Sequence, residues 1–355
     1  MSHLSSSTIW RIIPLAALIV VIFILQLPSE LRVRLEAVNA PRLDFGSQTV
    51  IVSGDERIFT LFAALNAAGF DREYQGIPMS PIRQQIRAEL NGKDIPSLKH
   101  LKPYFDRIPD YQLVVWALQR GPAPEFGRAE AGWWVTTRAA TFDGLSTALS
   151  DFYKEADIAD LWQQVGPQYA AEIAHWKPLA ETSLTEIQTY LGVTELPFHQ
   201  LVVIPNPLDS YYSGNGPQIN DTAYVVAGPT ETDLSMKGLI EHEILHSIIG
   251  PMLDKNLSVI RLAQRIRLFA VLRKSMPSGY GTWSSAVEES LIRAMVIRML
   301  NDEALRNTMI EQEENNGFLL IRPLSQALEM YEQSHQSFEK YLPTLLETIN
   351  NIQLP

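Results

Sequence analysis

The stretch His242-Glu243-Ile244-Leu245-His246 is the part of this chain whose residue types and spacing most directly imply chemistry. On a helix, side chains four apart lie on one face, about one turn from each other. His242 and His246 can therefore reach one metal ion, and Glu243 can approach a metal-bound water without being a ligand itself. Imidazole donors around a tetrahedral site with one open position select zinc. Zinc lowers the pKa of its bound water to about 7, and a neighbouring carboxylate takes the proton. Such a site expects three protein ligands. Ser247-Ile248-Ile249-Gly250-Pro251 follows His246, so there is no H-x-x-G-x-x-H extension to supply a third histidine, and His335 is far along the chain. A carboxylate from a later helix is the better source. Glu288 and Glu289, the latter 43 residues beyond His246, lie in an apolar helical stretch where a carboxylate needs a partner. Periodicity does not choose between them, and either can instead be a helix charge paired with Arg293.

Hydrolysis of a carbonyl also needs a group that stabilises the oxyanion. Tyr280, in the Ser278-Gly279-Tyr280-Gly281 loop entering the Glu289 stretch, is the first candidate; Tyr211, Tyr212 and Tyr224 are others. Each can equally serve packing or loop anchoring. Asn220-Asp221 reads as a turn, Trp133-Trp134 as core or interface, and His100, His175 and His199 lack ligand-like spacing.

Helices and a small sheet must position these residues. Phe59, Leu61, Phe62, Leu65 and Ala68 form one apolar helical face, and Ser80-Pro81 is a cap that opens a helix through Leu90. Further helices are expected near 108–119, 145–164, 166–176 and 181–191. Leu201 to Ile204 reads as a strand ended by Pro205-Asn206-Pro207, and Thr222 to Val226 as a second one, an edge offering backbone hydrogen bonds to an extended substrate. Thr232 or Asp233 caps a helix to about Ile249, stopped by Gly250-Pro251, and helices follow at about 256–274 and 284–300. The expected fold class is α+β, mainly α. A helical part occupies 46–195, and a catalytic part occupies 196–355 with the β-element, its edge strand, the H-E-x-x-H helix and C-terminal helices.

The chain has 355 residues, no cysteine and a net charge of −11. Disulfides, thiolate metal sites and cysteine nucleophiles are excluded. Nucleic acid is not an expected partner, because it needs a basic face. Ile12 to Leu25 is an uncharged apolar run; extended to Leu27 it has 16 residues and spans about 24 Å as a helix, against about 30 Å of hydrocarbon core. Trp10 and Arg11 sit where an interfacial anchor and a positive flank belong. Residues 1–28 are expected to be a single-pass anchor in the cell membrane with the catalytic part outside the cytoplasm, joined by a linker at 29–45. The alternative is a cleaved signal and a secreted or periplasmic protein.

The stretch His242 to Pro251 resembles the H-E-x-x-H-S-hydrophobic-x-N-P motif of a bacterial family of unknown function, predicted to hold gluzincin-type metallopeptidases. Glu289 to Ala294 resembles its second motif, E-x-L-[IV]-R-A. Phe59 to Phe70 and Met79 to Leu90 look like its N-terminal helical segments, so the likeness runs from about residue 40 to the end. The resemblance implies a zincin-like catalytic part with Glu289 as third ligand and Glu288 as a flanking charge or a group behind the ligands. The E-G-x-A motif of other gluzincins, with Ser290 in place of the glycine, gives the same register. Gly250 departs from the family, where asparagine is usual. The expected function is a zinc-dependent metallohydrolase, a membrane-associated peptidase acting on peptide or protein outside the cytoplasm, with Glu243 as base and then proton donor. The rival reading is a non-catalytic envelope protein with a structural or vestigial metal site. A non-peptide hydrolase on the same fold is a third.

Overall fold

In the computed structural model, residues 48–71, 77, 79–127, 139–277 and 279–354 are described. Five strands form one small sheet: β1 (Thr49–Val52), β2 (Gln200–Pro205), β3 (Gly214–Asn215), β4 (Gln218–Ile219) and β5 (Thr222–Ala227). β1, β2 and β5 are parallel neighbours, with Val203 opposite Val52 on one side and Val225 on the other. β3 and β4 run antiparallel along the free side of β5. The sequence reading of two strands holds to within a residue or two, but β5 is not an edge. It is paired on both sides, and the edge is the short β3–β4 segment before it.

Period-2 alternation gives the sheet two apolar faces. Leu201, Val203, Ala223, Val225 and Ala227 pack into a core built with the C-terminal helices. Ile204 and Val226 pack into a second core built with the N-terminal helices. That second core comes from α1 (Glu56–Ala67), α2 (Pro81–Leu90), α3 (Leu98–Phe105), α4 (Asp110–Leu118) and α5 (Leu145–Glu155), with the start of α6 (Ile158–Leu191). Asp55 caps α1, and Ser80 caps α2 with Pro81 at the first helical position.

α6 corrects the sequence reading. The break falls at Asp157, which adopts φ 55°, and from there 34 residues run as one helix through Gly166-Pro167 and Pro178. Each proline removes one backbone hydrogen bond. The continuous buried seam from Leu161 through Val165, Tyr169, Trp176, Ala180 and Leu184 to Leu191 outweighs those losses. Gly192 ends the helix at φ 64°, where a side chain is disfavoured.

α7 (Asp233–Asn256) is capped by the Thr232 side chain, which accepts from Ser235 N at 3.1 Å. It continues past Gly250-Pro251 instead of stopping there, and Leu253 beyond them is fully buried. α8 (Leu262–Ser275) leads to α9 (Trp283–Met299), which opens on a reciprocal Thr282/Ser285 capping box. α10 (Glu303–Asn315), α11 (Ile321–Gln333) and α12 (Phe338–Thr348) complete the core on the C-terminal side of the sheet. α7 lies against α6, α9 and β5.

Among the described residues, no helix is long and apolar enough to cross a membrane. α6 has the length, but it carries Asp160, Glu172, Lys177, Glu181 and Glu186. This corrects the expectation of a single-pass, cell-membrane protein. The run Ile12 to Leu25, the linker 29–45 and Trp133-Trp134 lie outside the described residues.

Candidate metal centre

The apolar positions of α7 fix which way its polar positions face. Met236, Ile240, Ile244, Leu245, Ile248, Ile249 and Leu253 are buried in the C-terminal core. The helix rotation then turns His242, Glu243 and His246 towards α9 and the β3–β4 edge. On α9 both neighbouring carboxylates are buried, and both touch a histidine. His242 Nε2 lies 3.5 Å from Glu289 Oε1, and His246 Nε2 lies 3.5 Å from Glu289 Oε2. The two Nε2 atoms are 3.2 Å apart, with the rings inclined at 77°. One donor atom from each of His242, His246 and Glu289 lies within 4.8 Å of the others, so the three could hold a metal ion. Glu289 is 5% exposed, His242 16% and His246 29%, so the group is rooted in the core and reaches solvent on its histidine side.

Glu288 meets the other nitrogen of His246. Its Oε1 lies 3.1 Å from Nδ1. A carboxylate on Nδ1 fixes ring orientation and tautomer and leaves Nε2 with its lone pair. Gly250 makes room for it: a Cβ there would stand 2.9 Å from Glu288 Oε1. The departure from asparagine at this position therefore coincides with the space the Glu288 carboxylate fills.

Charge and burial act against each other here. Burial disfavours the charged form of His246, but the Glu288 and Glu289 carboxylates outweigh it and raise its pKa well above the ordinary value. His242 is dominated by burial, only partly offset by Glu289, and is pushed down to about 3. Burial would raise Glu289, but His242, His246 and Arg293 together hold it well below the usual carboxylate range. Glu243 differs from both. It is 7% exposed, and burial pushes its pKa up to about 7. The backbone of the β3 edge lies directly on it: a Cβ on Gly216 would stand 2.8 Å from Glu243 Oε2, and one on Gly214 2.8 Å from its Cδ.

Tyr280 comes to the same neighbourhood. Its ring packs edge-on to Phe318 at 5.5 Å, and burial, reinforced by Glu289, pushes its pKa upward. Tyr212 instead donates to Glu231 at 2.7 Å, Tyr224 belongs to β5, and Asn220 takes φ 54° in a turn. His175 pairs with Asp233 at 2.8 Å, away from the ligand group. Sequence reasoning placed Gly214 and Gly216 in a loop with Tyr211 and Tyr212 without giving them a role at the site, and it did not name Glu313 or Phe318. The Gly-Asn-Gly spacing before β5 was the available signal for the close approach to Glu243. Glu313 and Phe318 gave none, because their role depends on how α10 packs back on α9.

A family model described as a domain of unknown function, DUF4932, matches residues 129–348, and the chain belongs to this family. The matched span contains α7, α9 and all three members of the ligand group. No curated protein and no solved structure matches the chain.

Proposed function

We propose that this protein is a zinc-dependent metallohydrolase of the gluzincin kind, with a zincin-like catalytic part, acting on a peptide or protein. The observation that carries the reading is the convergence of His242, His246 and Glu289, with the buried Glu243 carboxylate one residue from the first histidine. The donor set fits the ion: two imidazoles and a carboxylate are a zinc set, and three ligands leave a fourth position open. That number favours a catalytic over a structural site. When bound, zinc supplies an acidic water and polarises the substrate carbonyl.

The chain's own groups supply the rest. Glu243 takes the proton of the attacking water and returns it to the leaving amine. A pKa raised to about 7 suits a group that must do both near neutral pH. Tyr280, kept protonated by its raised pKa, can donate a hydrogen bond to the developing oxyanion. The β3–β4 edge beside Glu243 offers backbone groups to an extended chain.

The test is hydrolysis of a peptide library by the wild type and by Glu243→Gln, with zinc measured in parallel. We expect cleavage by the wild type and a loss of about 10²–10⁴-fold in the variant, with its zinc retained. A variant that keeps full activity overturns the mechanism.

A further inference from the structure

Glu289 presents two oxygens to a site in which it needs to give one. Oε1 faces His242 and Oε2 faces His246. Arg293, one turn further along α9, donates from Nε to Oε1 at 2.7 Å. The same guanidinium donates from Nη1 to Glu313 Oε1 on α10 at 2.8 Å. Its Cζ lies over the Phe318 ring, 4.3 Å from the centroid, and Tyr280 packs against that ring. Two carboxylates and an aromatic face thus hold one cation in a single orientation. A guanidinium already shared by two carboxylates is poorly suited to recognising an anionic substrate group. Its geometry suits it to act on Glu289.

We propose that Arg293 is a positioning residue that engages Glu289 Oε1 and reserves Oε2 for the metal ion. The inference rests on the metal-centre reading above. A carboxylate that binds through both oxygens fills two positions on the ion. Held to one, it fills a single position and keeps the fourth open for water. Glu313 and Phe318 act one step further out by fixing Arg293. A lysine would keep the charge but not the planar fork.

The experiment uses the full chain. Zinc affinity is measured by chelator competition for the wild type, Arg293→Gln and Arg293→Lys, and the visible spectrum of each cobalt(II)-loaded protein is recorded. We expect Arg293→Gln to bind zinc about 10–100-fold more weakly. Its cobalt band should lose intensity as the coordination number rises. Arg293→Lys should recover part of the affinity but keep the weakened band. Wild-type affinity and an unchanged cobalt band in Arg293→Gln overturn the proposal, as does a lowered melting temperature of the metal-free protein with no spectral change. If Arg293→Gln does not fold, Glu313→Gln, which leaves Arg293 in place with one anchor fewer, decides the matter: weaker zinc binding supports the proposal and wild-type binding overturns it. A wild type that binds no zinc removes the metal-centre reading itself, an outcome distinct from a metal-loaded wild type indifferent to Arg293.

Discussion

Two adjacent glutamates on one helix turn do different work. They point about 100° apart, and here that angle sends Glu289 to the Nε2 atoms of both histidines and Glu288 to the Nδ1 of one. Spacing alone left the pair undecided, and the motif register selected Glu289. The sequence could not show that Glu288 is buried as well, because that depends on Gly250 of a different helix. Glu288→Ala should keep the ion but weaken it about 10–100-fold, read by chelator competition. Gly250→Ala should weaken it in the same direction by crowding Glu288, with the metal-free melting temperature as the control for packing. Full wild-type affinity in both variants would remove Glu288 from the site.

At the scale of elements, local signals served well wherever side chains act on their own backbone. Ser80-Pro81, Thr232 and the strand runs at Leu201 and Thr222 were readable for that reason. Signals that depend on tertiary packing misled. Gly166-Pro167 and Gly250-Pro251 look like stops, yet both lie inside helices whose buried seams continue beyond them. β1 is too short to be recognised without β2 beside it. The edge of the sheet was misassigned because β3 and β4 are two residues each, with Gly214 opening β3 and Gly216-Pro217 interrupting the two. Those glycines have a steric reason, since the edge lies on Glu243. Gly216→Ala should cost about 1–3 kcal/mol by overpacking, read as a lower midpoint in thermal or denaturant unfolding. A stability equal to wild type would show that the edge segment does not press on Glu243.

For the whole molecule, stability should follow both pH and metal. Asp209, in the connection after β2, is 3% exposed, and burial pushes its pKa up to about 6, although it accepts from Ser210 N at 2.8 Å. A carboxylate whose folded pKa exceeds its unfolded value favours the folded state most when protonated. Its contribution is therefore full below pH ~4 and lost as pH rises to ~6, by up to about 3 kcal/mol. Asp209→Asn should be more stable than wild type at pH 7.5, and that advantage should shrink at pH 4.5, as thermal melts at the two values would show. A metal held by His242, His246 and Glu289 would join α7 to α9, so saturating zinc should stabilise the protein by about 3 kcal/mol at a hundredfold excess over its dissociation constant, and chelation should reverse this. The ordering of helices around a small sheet was legible from periodicity. The sandwiching of that sheet between two cores was not, because it requires β1 and the end of α6 to cross from one part of the chain to the other. The most direct test of the account is zinc stoichiometry by elemental analysis after mild chelation, on the wild type and Glu289→Ala side by side. The account predicts one ion per wild-type chain and a largely metal-free variant; a wild type without zinc, or a variant that retains it in full, would contradict it.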